Sequence, residues 1–382
     1  SSVVSSTQTA NCTTLDNTYF PTALSDGWYA VKGDVTVSDR ITISGNVHLI
    51  LTDGCTLNAK NGINLPENST LSIYGQSGGT GKLNAEYDRD TAIGGEYGKS
   101  CGTLNVYGGT VNANSTNEAA IGGGDSIDGT SGNGGTVNVY GGTVNAVSDS
   151  GTAIGGGDSA TGTGGNGGTV NVYGGKLTAD SSRSVAIGGG SSATGPAGNG
   201  GTVNVYGGTV DANSTTDTAI GGGCSVRGTA GNGGTVNVYG GKLNAVSSSR
   251  AAIGGGLGAN RTPGSVGQTF ISGGSVSAYS KYEIAFDHAP TYGTNYIPKV
   301  TYGESDTSTV TKINPDNSVY TSNKYVLIEK SNINDDHEHC DHSANTNPTC
   351  EGAKCSVCGT YIAPTGHKNG DPVTENRTFA SC

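Results

Sequence analysis

The chain has 382 residues, 67 of them glycine, with 13% charged residues and a net charge of −11. So much glycine and so little charge exclude an ordinary globular domain, and the absence of a basic stripe excludes a nucleic-acid partner. No stretch approaches the roughly 20 apolar residues of a membrane span.

Residues 1–30 are expected to cap one end of a stack of strands, because an uncovered end would template aggregation. The sequence begins at Ser1 and contains no Met, as expected of a matured or excised fragment. Trp28-Tyr-Ala-Val31, Asp34-Val-Thr-Val37, Ile41-Thr-Ile43 and Val47-His-Leu-Ile-Leu51 alternate apolar and polar residues. That period of 2 reads as the strands of opening coils. His48 is read as a solvated side chain of such a strand. Cys12 and Cys55 are read as a disulfide that staples this end.

Repeats dominate residues 31–289. Tyr74, Tyr107, Tyr140, Tyr173, Tyr206 and Tyr239 are 33 residues apart, and Asn105, Asn138, Asn171, Asn204 and Asn237 keep the same step. In Thr136-Val-Asn-Val-Tyr140, Val137 and Val139 point one way and Thr136, Asn138 and Tyr140 the other. Gly141-Gly142 ends this strand. Thr143-Val-Asn-Ala146 starts another, and Ala153-Ile154 gives a third before three glycines. Three short strands per unit describe one coil of a parallel β-helix. Ankyrin repeats share the period, but this unit has too many glycines and β-branched residues for two helices. A propeller blade also fits the length. Coil length decides against it, because Leu57, Leu83, Val111, Val144, Leu177, Val210, Leu243 and Val276 are spaced by 26, 28 and then repeatedly 33 residues. A three-strand coil therefore carries a removable Gly-rich loop. Eight coils at roughly 4.8 Å give a core about 40 Å long. The expected fold is all-β: a right-handed, single-stranded parallel β-helix, or solenoid.

Stacking turns each repeat position into a row. Rows of Tyr107, Tyr140, Tyr173, Tyr206 and Tyr239 beside Asn105, Asn138, Asn171, Asn204 and Asn237 suit a polysaccharide or host glycan. Pyranose rings stack on aromatic faces, and hydroxyls pair with amides. The alternative is structural, since such ladders stabilise parallel strands without a ligand. In the loops, Asp125, Asp128 and Asp158 are candidate calcium ligands; turn chemistry alone also accounts for acids there. Cys101 and Cys224 are read as buried thiols.

Toward the end the pattern decays. Phe270-Ile271 is read as replacing Val-Tyr, and Phe286 as taking the Ile slot. Residues 290–331 are expected to supply C-terminal cap strands, with Lys324-Tyr-Val-Leu-Ile-Glu329 as the closing strand. Residues 332–382 are read as a small Cys/His-rich module that stops at Cys382, mid-module. Cys350, Cys355, Cys358 and His367 could together supply four zinc ligands; a disulfide framework is the other reading. The strand faces lack clustered acids, so nothing asks for catalysis, although the fold permits it. Asp287-His288 has no nucleophile near it in sequence.

The units Gly-Gly-Thr-Val-Asn-Val-Tyr-Gly-Gly-Thr-Val-Asn-Ala and Ala-Ile-Gly-Gly-Gly resemble those of secreted surface proteins of anaerobic Gram-positive gut bacteria. Some of these are called carbohydrate-binding β-helix proteins. The segments Trp28 to Leu51 and Tyr320-Thr-Ser-Asn-Lys-Tyr-Val326 resemble theirs as well. So does the tail, with Cys355-x2-Cys358-Gly359, Gly366-His367 and Pro372-Val-Thr-Glu-Asn-Arg377. The resemblance implies an extracellular, secreted or surface-attached protein and carries over no site residues. The expected function is an adhesin or glycan-binding β-helix. The alternatives are a structural stalk or self-assembling fibre subunit, and a pectate-lyase-like polysaccharide lyase or glycoside hydrolase.

Overall fold

The computed structural model describes residues 12–294 and 296–331, with a short antiparallel pair, Ala353–Lys354 and Tyr361–Ile362. Its local rule is period-2 burial. Thr136–Val139 buries Val137 and Val139 and leaves Thr136 and Asn138 partly exposed. Strands of this kind pair in parallel with their copies 33 residues away, Val137 lying opposite Leu104 and Val170. The result is a first sheet of eleven strands, from Cys12–Leu15 to Thr291–Tyr292.

A second sheet holds twelve strands, and a third holds nine very short ones such as Ile154–Gly155. Through the repeats the neighbours within each sheet are every third strand of the chain. The chain therefore visits all three sheets once per coil, which is a parallel β-helix. Leu57, Leu83, Val111, Val144, Leu177, Val210, Leu243 and Val276 are successive register partners in the second sheet. Val35 extends the row by one more coil. Facing rows of Val, Ala and Ile from the other strands complete an aliphatic core with little or no solvent access.

Glycine is required where the chain turns from the first sheet to the second. Gly142 has φ +73°, and a Cβ there would lie 2.4 Å from the Gly109 carbonyl oxygen one coil back. The left-handed backbone and the close coil approach both demand a residue without a side chain.

The extra residues of the 33-residue coils lie between the third and first sheets, as their position in the sequence implies. They are stacked as regularly as the strands. Ser126, Ser159, Ser192 and Ser225 form successive parallel bridges. The Ser159 and Ser192 amides donate to Ser191 and Cys224 carbonyls, each at 2.9 Å. The loop is thus optional in length, but where present it forms a fourth stacked face.

At the C-terminal end Phe286 bridges in parallel to Ile253 and is fully buried, in the Ile slot. Phe270 lies opposite Asn237 and Ile271 opposite Val238. The expected Val-Tyr alignment is therefore one residue off: Phe270 continues the Asn row, because only Ile271 fits the buried row. Tyr325–Lys330 closes the second sheet antiparallel to Ser275–Ser280, followed by Pro298–Ser305 and Ser308–Ile313. At the other end Cys12–Leu15 pairs in parallel with Gly27–Val31, so the ladder runs into the segment expected as a cap. The expected Cys12–Cys55 disulfide is absent, both being free thiols. Cys12 sits exposed in the first sheet opposite Trp28, whereas Cys55 turns into the core just before the second-sheet strand Thr56–Ala59.

Leu177→Ala is expected to cost about 2–5 kcal/mol through the cavity it leaves. Gly142→Ala should also destabilise, through strain rather than lost burial. Chemical denaturation checks both; a wild-type midpoint for either would contradict the packing described.

Candidate binding faces and the polar corner

The outer surface of the first sheet carries three parallel rows, Thr, Asn and Tyr. The Asn amides are committed to one another. Asn138, Asn171, Asn204 and Asn237 each donate through Nδ2 to the Oδ1 of the preceding Asn at 2.8 Å, and Asn105 donates to Ser72 Oγ at 3.1 Å. The five phenol rings from Tyr107 to Tyr239 stack with centroids 4.6–5.0 Å apart and planes within 4–10°. Tyr74 joins the column at 4.7 Å, and Phe270 ends it with a tilted contact. His48 is stacked on Trp28 at 4.3 Å and hydrogen-bonds Tyr74 Oη at 3.2 Å, so it extends the column rather than standing in solvent. Each Tyr is still 41–44% exposed. That exposure belongs to ring edges and hydroxyls, since the faces cover one another.

Beside the Thr row runs a groove of about 570 Å³, floored by glycine pairs such as Gly134-Gly135 and Gly167-Gly168. Thr103, Thr136, Thr169, Thr202 and Thr235 line it. Among the described residues these five hydroxyls have no hydrogen-bond partner. The loop residues just before the glycine pairs, Asn133, Asn166 and Asn199, accept the amide of the next coil's Asn at 2.9–3.0 Å. Their Nδ2 groups remain free.

The third sheet is flanked by a polar corner. On its entry side a buried Ser row turns the chain. Ser148 Oγ donates to the Glu118 carbonyl at 2.8 Å and accepts from Gly151 N–H at 2.9 Å. The same bonds recur at Ser181 and Ser214. This row places Glu118, Ser184 and Asp217 opposite the loop residues Asp125, Ser191 and Cys224. Within one coil, Asp125 N–H donates to Glu118 Oε2 at 3.3 Å, and Cys224 Sγ donates to Asp217 Oδ1 at 2.8 Å. Between coils, Asp158 N–H donates to Asp125 Oδ1 and Ser191 N–H to Asp158 Oδ1, both at 2.7 Å. Burial pushes Asp125 up to about 9, with the Asp158 and Glu118 charges adding. Burial and Asp90 push Glu118 up to about 8. Burial, with Asp217 adding, pushes Asp158 up to about 7. Burial also raises Asp217. The Cys224 thiol is raised by burial and then by Asp217, so it is a hydrogen-bond donor and not a nucleophile. Burial likewise holds Cys101 up at about 12.

The candidate calcium residues are only partly brought together. Asp125 and Asp158 are stacked neighbours, while Asp128 stands exposed in the loop. Among the described residues no three His, Cys, Asp or Glu side chains are grouped to hold a metal. Cys350, Cys355, Cys358 and His367 lie outside the described residues. Asp287-His288 does have a hydroxyl beside it: His288 Nε2 is 2.8 Å from Thr269 Oγ1, and Nδ1 is 2.5 Å from Asp287 Oδ1. This is the connectivity of an acid–base–hydroxyl relay. Thr269, however, occupies an inward Val slot and is 2% exposed, so its oxygen is out of reach of a substrate. The relay satisfies a polar group inside the last coil. Sequence spacing missed it because Thr269 and His288 belong to different coils.

No protein-family model, no curated protein and no solved structure matches this chain.

Tyr173→Ala should cost about 1–3 kcal/mol, the sum of two lost ring contacts at 0.5–1.5 each, and should reduce the near-ultraviolet dichroism by more than one tyrosine's share. An unchanged denaturation midpoint would show that the column contributes nothing to stability.

Proposed function

We propose that the chain is an extracellular glycan-binding β-helix that holds an extended polymer along its first sheet. The observation that carries this reading is the Thr-lined groove. It runs across five coils and offers unpaired hydroxyls over a glycine floor. A neutral sugar chain offers hydroxyls that both donate and accept, which suits such a wall. One row position recurs per coil at roughly 4.8 Å, a spacing on the scale of one sugar in an extended chain. The Tyr edges on the far side of the sheet would contribute hydroxyl contacts and apolar rims, with the Asn ladder holding the rows in register. Extracellular placement rests on the likeness of the repeats to secreted surface proteins.

A second reading, a structural stalk, is favoured by the Asn and Tyr ladders, whose interactions are largely satisfied within the rod. End-to-end assembly in solution scattering, with no glycan bound, would favour the stalk.

A panel of neutral polysaccharides tests the binding reading. Thr136→Val/Thr169→Val/Thr202→Val keeps β-branched shape and removes three hydroxyls. It is expected to weaken binding at least about tenfold, since three net hydrogen bonds are worth roughly 0.5–1.5 kcal/mol each. The wild-type fold should be retained. Failure of the wild-type chain to bind any member of the panel would overturn the proposal.

A further inference from the structure

The loops end on a row with chemistry of its own. Asn133-Gly134, Asn166-Gly167, Asn199-Gly200 and Asn232-Gly233 recur at the 33-residue step along the edge of the groove. All four asparagines are exposed. Asn followed by Gly is the least hindered pair for ring closure, because glycine has no Cβ to shield its own backbone nitrogen. In that reaction the glycine nitrogen bonds to the asparagine Cγ and the Cγ–Nδ2 bond breaks. The glycine amide proton leaves with Nδ2 as ammonia. One water then opens the succinimide ring at either carbonyl, giving Asp or isoAsp.

Stacking holds both reacting groups. Gly134 N–H donates to the Asn166 carbonyl at 2.8 Å, and the same bond runs from Gly167 to Asn199, from Gly200 to Asn232 and from Gly233 to Ser265. On the side-chain side, Asn133 Oδ1 accepts from Asn166 N–H and Asn232 Oδ1 from Ser265 N–H, each at 2.9 Å. The two intermediate bonds measure 3.0 Å. Each Asn-Gly pair thus grips one residue of the next coil at two points, its N–H and its carbonyl. The glycine nitrogen cannot reach Cγ while its proton is engaged and the amide is anchored, so both bonds must open first. Asn61-Gly62, in a shorter coil outside the row, is held otherwise. Gly62 N–H closes a turn onto the Ala59 carbonyl at 3.2 Å, and Asn61 Nδ2 donates to the Ser38 carbonyl at 2.7 Å.

We infer that this row is a set of self-modification sites that the coil stack keeps closed, and that each site reacts only where its loop has parted from the next. The conversion is one-way. Asp replaces a neutral amide by a charge, and two converted neighbours stack carboxylate on carboxylate. IsoAsp lengthens the main chain by a methylene, so the loop loses register with its copies on both sides. A loop that stays parted long enough to react does not rejoin the ladder. The row therefore keeps a chemical record of loop opening, written along the edge of the groove. Nothing in this chemistry depends on a ligand.

Peptide mapping by mass spectrometry tests the inference on the full chain, incubated in mildly alkaline buffer with and without unfolding urea. Conversion at Asn133, Asn166, Asn199 and Asn232 should be at least about tenfold slower in buffer than in urea. That factor equals about 1.4 kcal/mol, within reach of two net hydrogen bonds. Equal rates in the two conditions would overturn the inference. Ser265→Pro removes the N–H that Asn232 holds and keeps the carbonyl at that position. In buffer it should speed conversion at Asn232 several-fold. Asn133, Asn166 and Asn199 should keep their wild-type rates, which also reports an intact stack. No change at Asn232, or the same rise at all four sites, would overturn the hold at each site.

Discussion

Within the 33-residue coils each residue is stacked on its own copy in the next coil, at the spacing of paired parallel strands. That constraint governs which residues the repeat tolerates. Aliphatic side chains gain from like-on-like contact by excluding water. An amide gains because it carries both donor and acceptor, so Asn on Asn forms an unbroken chain of hydrogen bonds. A phenol gains by offset stacking. A carboxylate is the exception, since its copy repeats its charge. The acidic slot accordingly changes along the rod, from Asp125 and Asp158 to Ser191, Cys224 and Leu257. In the neighbouring slot Glu118 gives way to Gly151, Ser184, Asp217 and Arg250. The substitutions dilute the repulsion without breaking the polar network, and Cys224 keeps the donor function that a protonated acid would supply.

The fold was legible because the alternation and the 33-residue step are both encoded in residue identity. The inward row from Leu57 to Val276 could be read directly, as could the outward Tyr and Asn rows. What could not be read was which outward groups would be used up by their neighbours. Asn138 looks the same in sequence whether its amide faces solvent or Asn105. The loops raised a related difficulty. Glycine-rich composition suggests slack chain, yet Ser126, Ser159, Ser192 and Ser225 stack in register. The serine step of 33 residues was the available signal. The expected Cys12–Cys55 bond failed because pairing depends on which face a strand presents, and the decaying first coils obscure that.

The candidate surfaces differ in how they spend their polar groups. The Asn ladder and the Tyr column satisfy themselves and stiffen the rod. The Thr row remains unsatisfied because its neighbours across the groove are glycines, which offer no side chain to pair with. A partner is best sought where the ladder logic leaves a vacancy of this kind. The polar corner is a third case, in which carboxyl oxygens accept from backbone N–H, hydroxyl and thiol donors. Satisfied ladders, an unsatisfied hydroxyl row and a buried polar network thus occupy separate edges of the same coil.

The reversed strand Tyr325–Lys330 has a consequence for evolution. The interfaces between the 33-residue coils are nearly interchangeable, so duplication or loss of one such unit keeps the same kinds of contact and changes the length by a single increment. At the C-terminal end an antiparallel partner ends the run of parallel strands in the second sheet. The number of parallel coils within the chain is therefore set by the number of repeats in its sequence. The molecule behaves as a graduated ruler with a fixed stop, and its reach can drift by whole divisions without the architecture being invented again.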